Sequence, residues 1–171
     1  PNLLAALAAN RRYEDGPIQL FELGRVYLPR NNELPDEPEM LCGLLSSIGL
    51  KKSWAGGDRP FGFFDAKGVV ESLLTRLNII ASFEEASDNG LRPGAQAEVI
   101  VAADKLGIVG ELHPKVAEAF EILGTVYLFE LNLTALLPYT IGHKVFQPIQ
   151  RFPAVVRDIA LVVDSGLSHR R

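Results

Sequence analysis

With 171 residues, 47% of them hydrophobic and 22% charged, the chain has a globular composition and room for one ordinary domain plus the edge of a second. A formal net charge of −4 argues against a chain built as a whole to wrap nucleic acid, and no apolar run approaches the roughly 20 residues needed to cross a bilayer. The single cysteine, Cys42, excludes an internal disulfide; with no signal-peptide pattern at the start, a reducing cytoplasm is the expected setting.

The charge is uneven. Residues 143–171 carry Lys144, Arg151, Arg157, Arg170 and Arg171 against Asp158 and Asp164. That segment is therefore at roughly +3 and the remainder at about −7, so the basic end reads as the start of something separate from an acidic body.

Residues 2–10 read as a short amphipathic helix without a capping side chain, using Leu3, Leu4 and Leu7. Arg11 and Arg12 follow as a solvated helix end. Ile18–Leu28 is strand-like, with Ile18, Leu20, Val26 and Leu28 on one parity and a turn or bulge expected at Gly24. Asp36, Glu37 and Glu39 belong to a polar loop that also holds Pro35 and Pro38, most simply a solvated turn. Met40–Ile48 is a buried strand in which Cys42 is a packed thiol rather than a nucleophile. Ser53–Pro60, with Trp54 and Gly56-Gly57, reads as a mobile loop.

The stretch Phe61–Leu77 organises the chain. Asp65 is placed to cap a helix whose apolar stripe is Val69, Val70, Leu73, Leu74 and Leu77, with Glu71 and Arg76 toward water and phenylalanines tying its start into a core. Beyond it, Ile79–Phe83 reads as a short strand and Asn89–Gly94 as a turn. Ala95–Val101 and Leu106–Leu112 form a hairpin turning at Ala103–Lys105. His113-Pro114 ends a strand and opens a helix through Phe120, proline fitting the first turn because its missing N–H has no partner to lose. Val126–Leu133 is a further strand, and Thr134 can cap the turn Ala135–Leu137. Tyr139–Pro153 is linker-like, and Ile159–Val163 is a last strand whose partners lie elsewhere. Short turns between many strands favour an α+β fold with a largely antiparallel sheet flanked by helices.

Local motifs for chemistry are missing. Gly56-Gly57 lacks the Gly-Lys-Ser/Thr of a phosphate loop, and Gly107 and Gly110 sit inside a strand rather than at a strand–helix turn. His113, His143 and His169 are scattered, with no second histidine one helical turn from His113 to make a zinc helix. No nucleophile elbow marks a serine. Arg157-Asp158 reads as an ion pair of little value if exposed. No catalytic, cofactor-binding or metal-binding residue is assigned.

Taken in order, several stretches resemble one family. They are Leu20-Phe21-Glu22-Leu23-Gly24-Arg25-Val26-Tyr27; Phe63-Phe64-Asp65-Ala66-Lys67-Gly68 with Glu71; Gly110-Glu111-Leu112-His113-Pro114; and Phe129-Glu130-Leu131-Asn132-Leu133. Their order and spacing are similar to those of the bacterial phenylalanyl-tRNA synthetase β-subunit. Pro148–Ala160 is similar to the start of that subunit's ferredoxin-like anticodon-binding domain. The resemblance implies a synthetase-like core over 1–138, a linker over 139–153, and the first strand of a truncated second domain over 154–171. One departure is Leu91-Arg92-Pro93-Gly94-Ala95-Gln96, where the family commonly has His-Pro-Gly-Arg, so no role of that histidine or arginine carries over.

The resemblance also implies a class II synthetase-like fold in a non-catalytic copy. In the catalytic α-subunit, the strand equivalent to Val126–Leu133 carries glycines that admit the nucleotide and ends in an arginine that holds its phosphates. Here those positions are Glu130, Asn132 and Ala135, a carboxylate and an alanine where glycine and guanidinium would be needed. The implied role is a structural and assembly module. It docks on the catalytic α-subunit in an (αβ)2 heterotetramer through a sizeable apolar patch, and tRNA is bound through other domains. ATP and Mg2+ belong to the holoenzyme and no cofactor to this stretch. Alternatives are an adenylating enzyme with altered ligands and an amino-acid-sensing domain without catalysis. Editing and metal sites of the family lie outside the matched stretch, and no membrane partner is implied.

Overall fold

The computed structural model describes residues 1–31, 33–47, 59–140, 157–160 and 162. Its strands are β1 (Ile18–Arg25), β2 (Glu39–Ser47), β3 (Ser82–Glu85), β4 (Leu91–Val101), β5 (Asp104–Leu112) and β6 (Thr125–Asn132). They form one six-stranded sheet in the order β1-β2-β6-β5-β4-β3. Every neighbouring pair is antiparallel, in agreement with the expected α+β class. Helices α1 (Asn2–Asn10), α2 (Phe63–Arg76), α3 (Pro114–Ala119) and α4 (Leu133–Leu136) complete the described elements, with a 3-10 turn at Leu137–Tyr139.

Because side chains two apart on a strand share a face, the sheet carries two cores. One face receives α2, which packs Ala66, Val70 and Leu74 onto Leu45, Val99, Val109, Phe129 and Leu131. The other receives α1 and α3, with Leu4 and Leu7 against Ile18, Leu44, Leu112, Ile122 and Val126. Gly43 is opposite Phe129 in the ladder, and the Phe129 ring lies over it. A Cβ at Gly43 would sit 2.3 Å from the ring's Cζ, so glycine makes room for the aromatic.

The central helix starts two residues ahead of the expected cap. Gly62 is the cap, and Asp65 occupies the third helical position, where its Oδ2 accepts from the Gly62 N–H at 2.7 Å. The stripe is also rotated from the expected one. Ala66, Val70 and Leu74 recur at four-residue spacing, whereas Val69 lies ~100° round the helix from Val70 and is 41% exposed. The helix ends in a left-handed residue, Asn78 (φ 61), with Asn78 N–H donating to Thr75 O and Ile79 N–H to Leu74 O. This Schellman arrangement buries Ile79 against Leu74, so Ile79 closes the helix and the strand expected at Ile79–Phe83 is instead Ser82–Glu85.

The remaining differences are local. β1 pairs with β2 in unbroken register through Gly24–Met40 and Arg25–Glu39, without the expected bulge at Gly24. Register breaks fall instead in the β4–β5 pair, first where pairing passes from Leu91–Leu112 to Gln96–Gly110, with Gly94 at φ +76, and again between Val99–Gly107 and Ile100–Lys105. Pro93, lacking a donor, sits in the first break, so the expected turn at Asn89–Gly94 shrinks to Asn89-Gly90. The β4–β5 hairpin turns at Ala102-Ala103, both at positive φ, rather than at Ala103–Lys105. The helix expected after His113-Pro114 is α3, with His113 Nδ1 accepting from Lys115 N–H at 3.1 Å. Thr134 does not cap α4. Asn132 does, and Thr134 Oγ1 accepts from the Glu39 N–H at 2.8 Å, tying α4 to the start of β2.

Arg157–Ala160 and Val162 have no strand pairing, and no ion pair joins Arg157 to Asp158 among the described residues. The expected loop over 53–58, the linker over 141–153, the remainder of the last strand, and His143 and His169 lie outside the described residues. No helix among the described residues is long and apolar enough to cross a membrane.

Candidate functional site

On the face of the sheet opposite α2, β1, β2 and β6 place Glu22, Cys42 and Glu130 in one cross-strand row. The row floors a cleft of about 180 Å³, walled by Gly24, Arg25 and Met40 and closed by Pro1–Leu3 at the start of α1. This is where Glu130 was expected to replace a glycine. The strand alternation aims its carboxylate onto the cleft face, two positions from Asn132.

The electrostatics of the cleft are acidic. Burial, reinforced by Glu130 and Glu22, pushes the Cys42 thiol up to about 11, so it is protonated near neutrality and is no nucleophile. Arg25 is the guanidinium at the cleft, and it is engaged by Glu37 Oε2 at 3.8 Å and Glu39 Oε1 at 4.0 Å. Arg30 is likewise paired with Asp36, so the acidic loop holds two arginines rather than standing as a merely solvated turn. Asn132 is turned away to cap α4, its Oδ1 accepting from Ala135 N–H at 2.9 Å. Ala135 therefore contributes a backbone donor to a helix start and has no side chain to offer a phosphate. The two carboxylates put negative charge on the cleft floor, the neutral thiol does nothing to offset it, and Arg25 is already shared between Glu37 and Glu39. Among the described residues, no cluster of histidine, cysteine, aspartate and glutamate is arranged to hold a metal.

Several anchoring side chains went unread in the sequence. Arg11 is not a solvated helix end. Its guanidinium donates to Gly16 O at 2.5 Å, Glu14 O at 3.3 Å and Ser46 Oγ at 2.8 Å, the last a fully buried hydroxyl of β2. Burial lowers the Arg11 pKa, opposed by Asp15 and Glu14. Arg59 grips Asp65 through both carboxylate oxygens at 2.6 Å, and Arg92 holds Glu111, whose side chain is only 13% exposed, at 2.8 Å. Arg59 and Asp65 lie six residues apart, outside helical pairing distances. Arg92 and Glu111 meet only through the β4–β5 register, which a linear pattern does not display.

The architecture is that of an aminoacyl-tRNA synthetase-like domain. A solved Desulfitobacterium hafniense PylSc, a pyrrolysyl tRNA synthetase, shares the fold with a TM-score of 0.58 at 20% identity, over 80% of this chain and 46% of that one. The family model for the phenylalanyl tRNA synthetase beta chain CLM domain matches residues 1–133, and the chain belongs to that family. Phenylalanine–tRNA ligase beta subunits from Dehalococcoides mccartyi strain 195 and Staphylococcus aureus strain MRSA252 are 46% and 38% identical over 100% and 98% of this chain. That of Symbiobacterium thermophilum is 42% identical over 95% of it. The chain spans 18–21% of the length of these curated relatives.

Proposed function

We propose that this chain is a non-catalytic structural and assembly module of a phenylalanine–tRNA ligase β-subunit, with a class II synthetase-like fold. In this reading it docks on a catalytic α-subunit within an (αβ)2 heterotetramer in the cytoplasm. The α-subunit uses ATP and Mg2+ to attach phenylalanine to its tRNA. Residues 1–138 form the module, 139–153 a linker, and 154–171 the start of a second domain through which, with others, the subunit reaches tRNA.

The observation that carries the reading is the row Glu22–Cys42–Glu130. The sheet face that would have to receive a nucleotide presents carboxylates flanking a neutral thiol, and its arginine is already shared between Glu37 and Glu39. The test is ATP–pyrophosphate exchange with phenylalanine, run on the purified chain, on the β-subunit containing it, and on that subunit mixed with α. Exchange only when α is present, together with a complex of heterotetramer mass, supports the module; exchange by the chain alone overturns it.

The same pair of carboxylates also suits the ammonium group of a free amino acid, which keeps an amino-acid-sensing domain as the second reading. Thermal stabilisation of the chain by phenylalanine, lost in Glu22→Gln and Glu130→Gln, would favour that reading.

A further inference from the structure

Asn89-Gly90 is the one place in the sequence where an asparagine precedes a glycine, and it forms the turn between β3 and β4. Asn89 is exposed and lines an open hollow of about 490 Å³ with Glu85, Ser87, Gln96 and His113. Its side-chain amide makes no hydrogen bond among the described residues. Such a pair is reactive by itself, because glycine has no Cβ to obstruct the approach. The Gly90 nitrogen gives up its proton and attacks Asn89 Cγ. The new C–N bond closes a five-membered succinimide, the Cγ–Nδ2 bond breaks, and ammonia leaves with the proton. Water then opens the ring at either carbonyl, leaving aspartate or isoaspartate.

We propose that Asn89 is a latent deamidation site whose reaction the Asp88 carboxylate suppresses by holding the attacking nitrogen. Gly90 N–H donates to Asp88 Oδ1 at 2.7 Å, the bond of an Asx turn. The turn is pinned on its other sides too, with Gly90 O accepting from His113 N–H at 2.9 Å and Asp88 O from Leu91 N–H at 3.3 Å. Buried Gln96 fixes Asp88 in place, its Oε1 accepting from Asp88 N–H at 2.7 Å and its Nε2 donating to Asp88 O at 3.3 Å. The peptide group that carries the nucleophile cannot swing toward Cγ without breaking the bond to Asp88. A carboxylate at that distance also opposes negative charge building on the nitrogen. Where the guard is lost, a further carboxylate appears beside Glu85 and Asp88, and isoaspartate adds a backbone carbon to the turn that His113 anchors. The proposal does not rest on the assembly reading above, because it concerns the chemistry of this turn alone.

The test is incubation of the chain at mildly alkaline pH, with mass-spectrometric peptide mapping that separates asparagine, aspartate and isoaspartate at position 89. The native chain, the same chain unfolded in urea, Asp88→Ala and Asp88→Ser are compared, and amide hydrogen exchange follows Gly90, Leu91 and His113. The native chain is expected to deamidate at least ~10-fold more slowly than the unfolded one, the scale of a hydrogen bond to a charged group. Asp88→Ala should lose most of that difference, with the Gly90 amide opened while Leu91 and His113 stay protected. Asp88→Ser, whose hydroxyl accepts more weakly, should fall between, and it carries the comparison if the alanine variant does not fold. A native rate equal to the unfolded one overturns the proposal, as does an unprotected Gly90 amide in the native chain. So does a folded Asp88 variant that reacts no faster than the native chain; a slower one would make the carboxylate a base instead of a guard.

Discussion

Arg11 Nη2 donates to Ser46 Oγ at 2.8 Å, joining the end of α1 to a hydroxyl that is fully buried near the end of β2. The same guanidinium closes the turn after α1 through Gly16 O, while its Nε is buried without a partner. Arg11→Ala should therefore cost about 1–3 kcal/mol, since it orphans the buried hydroxyl and a carbonyl. Ser46→Ala should cost about 1 kcal/mol, and the double variant less than the sum. Urea midpoints for the four proteins check this.

Asp65 holds both the Gly62 N–H and the Arg59 guanidinium, and the Arg59 bond is the main cause of its lowered pKa. A carboxylate depressed below its ordinary 3.8 adds stability above that pH, and the contribution disappears as pH falls through the lower folded value. Asp65→Asn should cost about 1 kcal/mol at pH 7, partly screened by salt because Arg59 is exposed. Denaturation curves of the two proteins should converge below pH 4, as measured by midpoint against pH.

Three ordinary residues with side chains hold left-handed backbone at turns: Ala102 (φ 49), Ala103 (φ 82) and Glu121 (φ 56). Glu121 ends α3 as Asn78 ends α2, with Ile122 N–H donating to Ala117 O. Ala103→Gly and Glu121→Gly should each stabilise by roughly 0.5–1 kcal/mol, removing a Cβ penalty larger than the entropy glycine adds to the unfolded chain. Calorimetry should show a melting temperature higher by a few degrees for each variant and an additive rise for the pair.

Gly43→Ala drives a methyl into the Phe129 ring and should cost at least 2 kcal/mol by the usual scale of overpacking. Phe129→Leu is destabilising by itself but should recover part of the Gly43→Ala loss when the two are combined. A positive coupling in the four-protein cycle is the expected outcome.

Cys42, held at about 11 against an ordinary 9.0, should react slowly with a disulfide reagent near neutral pH and accelerate as pH rises toward that value. Glu130→Gln removes a charge that raises the pKa, so labelling at pH 9 should be several-fold faster in the variant. The unfolded thiol ionises first, so this group's contribution to stability falls between the two values as pH rises. Labelling rates and stability from pH 8 to 11 measure both.

Six of the seven expected strands and their antiparallel pairing were legible because apolar alternation and short turns survive in the linear pattern, as in Ala95–Val101 and Leu106–Leu112. Boundaries failed where a short-range rule competed with a three-dimensional one. Asp65 looks like a cap, yet Gly62 has the extended backbone and Asp65 reaches back to it from within the helix. Thr134 looks like a cap as well, but the neighbouring start of β2 takes its hydroxyl. The cleft was half legible. Glu130, Asn132 and Ala135 were visible as replacements, whereas Cys42 and Glu22 join Glu130 only through the β1–β2–β6 register. Arg11 was misread because its partner Ser46 is far away in the chain.

The strand order has a kinetic corollary. β3, β4, β5 and β6 follow one another as a meander, except for α3 between the last two, and β1 with β2 is a local hairpin. The β2–β6 seam, in contrast, joins segments from opposite ends of the described core, and the Glu39–Thr134 bond across it spans 95 residues of sequence. Chain closure of that length is the slow event in forming such a sheet, so the seam should knit last and part first. Substitutions at Gly43 or Phe129, which weaken the contact that closes this loop, should accordingly slow refolding as well as quicken unfolding.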